Sequence, residues 1–93
     1  MTIQHKQTGS KGTFFIEQKG ETLAEMVYTM PAADKMIIEH TEVDESLQGK
    51  KIGSQLVQHA VEYARDKNIS IVPLCSFARA TFEKSPQYKD VLA

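Results

Sequence analysis

The sequence predicts an α/β (α+β) protein with a mixed, mostly antiparallel five-stranded sheet, a βαβ unit and two helices. Three observations support this class. Apolar and polar residues alternate over much of residues 2–43, helical spacing replaces this alternation over residues 52–67, and a short apolar run follows within residues 68–74. With 93 residues, the chain has room for a single domain with one hydrophobic core.

The first three strands are indicated by clusters of β-branched and aromatic residues between glycine-containing turns. The segment "TFFIEQ" has the densest such cluster, and Gly20 can adopt the positive φ that a tight hairpin needs. The segment "PAAD" is expected to break the third strand. The predicted strands are residues 2–8, 13–18 and 22–30, with turns at 9–12 and 19–21 and a break at 31–34.

The fourth predicted strand, Lys35–Val43, contains one histidine, His40. Because side chains alternate along a strand, one face receives Met36, Ile38 and His40, and the other receives Ile37, Glu39, Thr41 and Val43. His40 would then be a polar residue among apolar neighbours. Such a histidine is either a hydrogen-bonded core residue or a general base, since imidazole exchanges protons near neutral pH.

A helix and a buried strand complete the βαβ unit. Residues 52–67 place apolar side chains at helical spacing, and the run "NISIVPL" (68–74) is typical of a buried strand parallel to its neighbour. A crossover from strand four through this helix to strand five is therefore expected. A last helix, Ser76–Lys84, is predicted to end before Pro86.

Composition limits the classes of function. The net charge of −1 argues against nucleic-acid binding, whose affinity comes from neutralising many phosphates. The sequence has no signal-peptide pattern and no apolar run of about 18 residues, so we expect a cytoplasmic protein without a membrane segment. One cysteine excludes an internal disulfide, and the histidines lack metal-ligand spacing, so no metal site is predicted. We also expect a monomer.

The segment "QGKKIG", Gln48–Gly53, lies at the entrance of the first predicted helix. Helix N-termini carry unpaired N–H groups and partial positive charge, and Lys50 and Lys51 add two full charges there. Cations are unfavourable at this end unless an anion offsets them, so the segment indicates a phosphate site. Its spacing matches neither a P-loop nor a dinucleotide-binding fingerprint. Alternatively, Gly49 makes a tight turn and Gly53 allows close packing between helix and sheet.

The stretch "HTEVDESLQGKKIGSQLVQHAVEYARDKNISIVPLCSF" resembles the core of the GNAT acyltransferase superfamily, and in particular its small single-domain N-acetyltransferases. These proteins carry the pattern [QR]-x-x-G-x-[GA] before the helix that follows strand four. Gln48 matches the first position and Gly53 the last, while Lys51 stands where an inner glycine is usual. The resemblance extends over residues 14–88 and implies a compact GNAT-like fold.

The resemblance also implies a cosubstrate, acetyl-CoA, and the residues that would bind it. The edge of strand four would pair with the pantetheine arm, as an added strand does. That edge consists of Thr41, Glu42 and Val43. The residues whose amides would hold the pyrophosphate are Gln48, Gly49, Lys50, Lys51, Ile52, Gly53 and Ser54.

Cys75 and His40 are the candidate catalytic residues. Cys75 follows the predicted fifth strand near the start of the last helix, where the dipole favours a thiolate. The small GNAT-like proteins have a histidine and a cysteine at these two places. Two routes remain open: an amine attacks the thioester directly, or His40 activates Cys75 to take the acetyl group first. An inert buried cysteine is the alternative.

Three functions follow from these observations. The first is an acetyl-CoA-dependent N-acetyltransferase acting on an amine. Because 93 residues leave few elements to enclose an acceptor, an open cleft is expected, which suits a protein lysine, a peptide terminus or a polyamine. The second is a sensor or accessory module that binds CoA or acyl-CoA without transfer. The third is an interaction domain whose glycines serve packing alone.

Overall fold

A five-stranded sheet forms the framework of the computed structural model, which describes residues 2–93. Its elements are β1 (Gln4–Thr8), β2 (Lys11–Gln18), β3 (Glu21–Ala32), β4 (Lys35–Val43), α1 (Ile52–Lys67), β5 (Ser70–Pro73) and α2 (Ser76–Glu83), with 3₁₀ helices at Glu45–Leu47 and Pro86–Val91. The strands are ordered β1-β2-β3-β4-β5, and all neighbours are antiparallel except β4 and β5. The predicted fold class is confirmed, and β4 and α1 have their predicted ends.

The first three strands differ from the prediction at their ends. β3 continues through Pro31 to Ala32, so the predicted break at residues 31–34 is wrong and the chain turns only at residues 33–34. β2 begins at Lys11, because Gly12 is a strand residue covered by the ring of Tyr28. A Cβ on Gly12 would lie 2.2 Å from Tyr28 Cζ, so glycine here serves close approach rather than a turn.

A bulge in β4 changes which face its later residues occupy. Val27 pairs with His40 and Tyr28 pairs with Ile38, so Glu39 is an extra residue in β4. Beyond the bulge the alternation is reversed, and Thr41 pairs with buried Met26. The face assignment of the sequence analysis is therefore wrong for the residues past the bulge. Thr41 and Val43 lie on the core face, whereas His40 lies on the opposite face, together with Glu39 and Glu42.

Both helices pack on one face of the sheet, where the hydrophobic core lies. Apolar residues at helical spacing on α1 meet the alternating core-facing residues of β2 to β5. On the opposite face, Phe15, Val27 and Ile37 are only partly buried, and no helix in residues 2–93 covers them. None of the helices in this range is long and apolar enough to cross a membrane.

The C-terminal segment is fastened to α1 and to β5. The guanidinium of Arg65 donates from Nε and Nη2 to the Asp90 carboxylate at 2.8 and 2.9 Å, and from Nη2 to the Gln87 carbonyl at 2.7 Å. Leu92 bridges Ile71 in parallel on the outer edge of β5. These contacts hold the chain end beside the strand that leads into α2.

Strands β4 and β5 separate after four paired residues. The pairing extends from Lys35 with Ser70 to Ile38 with Pro73. The N–H groups of Leu74 and Cys75 then both donate to the Ile38 carbonyl, at 3.0 and 3.1 Å, and the chain turns into α2. The rest of β4, from Glu39 to Val43, thus has no strand beside it on this edge. A gap opens there between the two strands.

Candidate active site

The loop before α1 has two residues with positive φ, at Gly49 (φ 81°) and Lys51 (φ 58°, ψ 31°). Lys51 is the N-cap of α1, and its side chain makes no capping hydrogen bond. Left-handed backbone is unfavourable for a side-chain-bearing residue and suits glycine. Lys51 therefore adopts, at some cost, the conformation expected of the glycine that is usual at this position of the family pattern.

The entrance of α1 has N–H groups without a partner inside the helix. The first intrahelical hydrogen bond from this end runs from the Gln55 N–H to the Lys51 carbonyl at 3.1 Å, so the N–H groups of Ile52, Gly53 and Ser54 have no helical partner. The first turn contains no acidic residue. With the charge of Lys50 added, this helix end attracts an anion.

A cavity of about 560 Å³ connects this helix entrance with the gap beside β4. Its wall is formed by the loop before α1 and the start of this helix, by the core face of β4 and by one aromatic ring from α2. Its lining residues are Thr41, Val43, Leu47, Gln48, Gly49, Lys51, Ile52, Gly53, Ser54 and Phe77. Eight of these ten were named from the sequence as cofactor-binding residues, and the cavity brings them together. The other two, Leu47 and Phe77, are apolar.

Gly53, in the first turn of α1, lies against the ring of Phe77, in the first turn of α2. A Cβ on Gly53 would lie 2.5 Å from Phe77 Cζ, so only glycine leaves the ring in its present position. Phe77 is 41% exposed although it is a large apolar residue. Gly53 therefore allows close packing, as the alternative interpretation of the sequence predicted. It packs against α2, however, and not against the sheet. The same contact shapes the cavity.

The open edge of β4 offers the backbone of Thr41 and Val43. The Asp44 N–H donates to the Leu23 carbonyl at 2.7 Å, so Asp44 faces β3. Because backbone groups alternate in direction along a strand, Glu42 also faces β3, whereas Thr41 and Val43 face the gap. Gln48 ties the loop to this edge, since its Nε2 donates to the Val43 carbonyl at 3.2 Å.

Cys75 lies beside Thr41 at the mouth of the gap. The thiol donates to Thr41 Oγ1 at a distance of 3.4 Å. Cys75 is also the N-cap of α2; its sulfur makes no ordinary capping hydrogen bond, but the Ala78 and Phe77 N–H groups face it. Burial alone would raise the pKa of the thiol. The Thr41 hydroxyl and the N–H groups of Ala78, Phe77 and Thr41 outweigh burial, so this pKa lies below its usual value.

His40 is not brought together with Cys75. Its Nε2 lies 3.2 Å from Glu42 Oε1 on the uncovered face of the sheet, and the two side chains are 53% and 68% exposed. The bulge at Glu39 is the reason, because it turns His40 away from the helix face and Thr41 toward it. The side-chain partner of the thiol is therefore the Thr41 hydroxyl. From the sequence, only the backbone of Thr41 was expected to contribute to the site.

Two features near the cavity were not identified from the sequence. The ring of Phe77 had no distinguishing signal, since an apolar residue at the start of a helix is normally part of the core. The bulge had one weak signal, a polar His40 where strict alternation demands an apolar residue. No group of three or more potential metal ligands lies together in residues 2–93.

Comparisons with known proteins relate the chain to acetyltransferases. Residues 13–91 match the family model for the GCN5-related N-acetyl-transferase. A GCN5-like protein from Staphylococcus aureus, solved in solution, is 33% identical and superposes with a TM-score of 0.73, over 97% of this chain and 87% of that one. No match was found among curated proteins.

Larger solved structures share the fold. The "IAA acetyltransferase" of Bacillus cereus is 30% identical, with a TM-score of 0.62 over 81% of this chain and 53% of that one. An acetyltransferase of Elizabethkingia anophelis, solved with acetyl-CoA bound, is 18% identical, with a TM-score of 0.62 over 83% of this chain and 53% of that one. This chain therefore spans about half the length of these two proteins.

Proposed function

The chain belongs to the GCN5-related N-acetyltransferase family, and we propose that it transfers the acetyl group of acetyl-CoA to an amine on an acceptor that reaches an open cleft. A protein lysine, a peptide terminus or a polyamine has this character. The observation that carries the proposal is the cavity that runs from the free N–H groups of α1 to Thr41, next to Cys75.

The cosubstrate would occupy this cavity along its length. The pyrophosphate would accept hydrogen bonds from the free N–H groups at the entrance of α1, with the charges of Lys50 and Lys51 nearby. The pantetheine arm would lie along the open edge of β4 and pair with the backbone of Thr41 and Val43. Its thioester would then reach the gap near Cys75.

Cys75 would receive the acetyl group first. The thiolate attacks the thioester carbonyl carbon, a new C–S bond forms, and the bond to the CoA sulfur breaks; CoA leaves as a thiolate and takes a proton from water. This route is supported by the contacts of the thiol, which include no histidine: burial alone would raise the pKa of Cys75, but the Thr41 hydroxyl and neighbouring N–H groups lower it. Of the two routes that the sequence leaves open, neither direct attack by the amine nor activation of Cys75 by His40 is the one proposed here.

His40 would act on the acceptor from the uncovered face of the sheet. An amine that approaches the gap from this face would attack the acetyl-Cys75 carbonyl, give its proton to the imidazole and release the Cys75 thiolate. Glu42, whose Oε1 lies 3.2 Å from His40 Nε2, would orient the imidazole. Because no helix in residues 2–93 covers this face, a large acceptor can approach it.

A single-turnover experiment without acceptor tests the proposal. Protein mixed with acetyl-CoA and quenched rapidly is expected to gain the mass of one acetyl group on the peptide that contains Cys75. Addition of spermidine or a lysine peptide should then remove this group and yield the N-acetylated amine. Binding of acetyl-CoA with no acetyl transfer to any amine would instead support the sensor function. Turnover without an acetyl-protein would support direct attack by the amine.

A further inference from the structure

We propose that Thr41 is a positioning residue for acyl transfer: its hydroxyl holds the Cys75 sulfur in the gap between β4 and β5 and stabilises the thiolate there. This inference rests on the proposed function, in which Cys75 carries the acetyl group. It concerns the side chain of Thr41 and is separate from the backbone role of this residue toward pantetheine.

The position of Thr41 depends on the bulge. Without the extra residue Glu39, strict alternation would place Thr41 on the uncovered face and His40 on the core face. The bulge instead aligns Thr41 with buried Met26, and its hydroxyl points toward the sulfur. Because of this one extra residue, the Thr41 hydroxyl lies next to the Cys75 thiol, and the His40 imidazole lies on the uncovered face, where the proposed function places the acceptor.

The backbone of Cys75 is held by hydrogen bonds to β4 and to α2. Its N–H donates to the Ile38 carbonyl at 3.1 Å, and its own carbonyl accepts from the Arg79 N–H at 2.9 Å in the first turn of α2. The sulfur therefore projects from a fixed backbone toward Thr41. The side-chain distance of 3.4 Å is within the range of hydrogen bonds that involve sulfur.

A hydroxyl suits both states of the thiol. It accepts a hydrogen bond from the neutral thiol and can rotate to donate one to the thiolate. Among the described residues, the other groups acting on the sulfur are backbone N–H groups, and no charged side chain is among them. The charged residue that lines the same cavity is Lys51, at the entrance of α1. Thr41 is thus the side chain that can be changed to alter the thiolate without removing a charge.

The test measures the rate of Cys75 alkylation by iodoacetamide as a function of pH. Thr41→Val keeps the β-branched shape but removes the hydroxyl, and we expect the midpoint of the pH profile to rise by about one unit. Thr41→Ser should retain a profile close to that of the wild-type protein. Thr13→Val, a matched change in β2, should also leave the profile unchanged, since Thr13 lies on the uncovered face.

The same variants separate this inference from the proposed function. Alkylation requires no acetyl-CoA, so a wild-type protein that fails to bind or use acetyl-CoA would overturn the proposed function, and with it the role of Thr41 in acyl transfer, whatever the alkylation profiles show. A Thr41→Val profile that superposes on that of the wild-type protein would overturn the role of the hydroxyl. If Thr41→Val fails to fold, a Thr41→Ser profile shifted upward by a unit or more would equally overturn it, because the hydroxyl is still present.

Discussion

His40 and Thr41 are adjacent in β4, and their side chains lie on opposite faces of the sheet, as alternation along a strand requires. The imidazole contacts Glu42 on the uncovered face, and the Thr41 hydroxyl lies 3.4 Å from the Cys75 sulfur on the helix face. The bulge at Glu39 determines which of the two side chains lies on which face, because without it their positions would be exchanged. In the proposed function the acyl donor lies on one side of the gap and the acceptor on the other, so changes on the two sides should affect different steps.

Replacing His40 by glutamine should slow transfer to the amine without affecting the sulfur. We expect turnover with an amine acceptor to fall on the order of 10²-fold, as for loss of a general base. The pH profile of Cys75 alkylation should not change, because the imidazole has no contact with the thiol. Steady-state release of CoA and the alkylation assay give both quantities.

His59→Gln is the matched control for that change. His59 is exposed on α1, and the proposed function assigns it no role. Its replacement should leave turnover unchanged. Full activity in the His40→Gln variant would contradict a general-base role for His40.

Replacing Cys75 by alanine should abolish acetyl transfer but leave binding of acetyl-CoA intact. The sulfur lies beside Thr41, at the β4 side of the cavity, whereas the N–H groups that would hold the pyrophosphate are at the entrance of α1. Acetyl-CoA at a hundred times its Kd should therefore still stabilise the variant by about 2.7 kcal/mol, measured by urea unfolding. Undiminished turnover in this variant would show that the amine attacks acetyl-CoA directly.

Much of the fold could be predicted from the sequence, because periodicity reports which side chains are buried. The change from alternation to helical spacing located α1 at its observed ends, Ile52 and Lys67. The glycine and lysine pattern likewise located the loop before α1, and the role of this loop in binding stays a prediction. These features depend on residues close together in the chain.

The remaining features depend on pairing between distant segments. The bulge is defined only by the register of β4 against β3, so the sequence placed His40 on the wrong face. Gly12 is needed in β2 because the ring of Tyr28 covers it. The ion pair between Arg65 and Asp90 joins residues that are 25 positions apart in the chain. No local pattern in the sequence indicates such contacts.

Replacing Lys51 by glycine should stabilise the protein. At φ 58° a lysine is strained, and glycine is also the better N-cap, so we expect a gain of about 1 kcal/mol in the free energy of unfolding. Lys51→Ala keeps a Cβ at the same φ and removes the charge. Lys51→Ala should show no such gain in the free energy of unfolding. Its affinity for acetyl-CoA, compared with that of the wild-type protein, gives the contribution of the lysine side chain to binding. Equal free energies of unfolding for Lys51→Gly and Lys51→Ala, measured in urea, would contradict the claim that the backbone of Lys51 is strained.

Replacing Gly53 by alanine should weaken acetyl-CoA binding more than it affects stability. The new Cβ would displace the ring of Phe77, and an exposed ring can move at low energetic cost. The ring would then intrude on the cavity that both residues line. Calorimetric titration should show a loss of affinity for Gly53→Ala, and the double variant with Phe77→Ala should recover part of it. Unchanged affinity in Gly53→Ala would leave this glycine with a packing role alone.

His5 should make stability depend on pH. Burial lowers the pKa of His5, and its Nε2 lies 2.6 Å from the hydroxyl of Tyr28, whose pKa burial raises to about 12. The unfolded chain therefore binds a proton at higher pH than the folded protein does. The contribution of His5 is complete above its usual pKa of about 6.5 and is lost as the pH falls below it.

Urea unfolding between about pH 5 and 7.5 measures this dependence. The free energy of unfolding of the wild-type protein should decrease toward pH 5, and the His5→Gln variant should show a smaller decrease. His59→Gln again serves as the control, with the wild-type slope. Parallel curves for the wild-type protein and His5→Gln would exclude His5 as the source.

The most direct test of the central claim, that the loop before α1 holds the pyrophosphate of acetyl-CoA, is a calorimetric titration of the purified protein. Acetyl-CoA and acetyl-pantetheine, which lacks the pyrophosphate and the nucleotide, would be titrated in parallel. We predict saturable binding of acetyl-CoA and much weaker binding of acetyl-pantetheine. Equal affinity for both compounds, or no binding of either, would contradict the claim and leave Gly49 and Gly53 as residues of a turn and of helix packing.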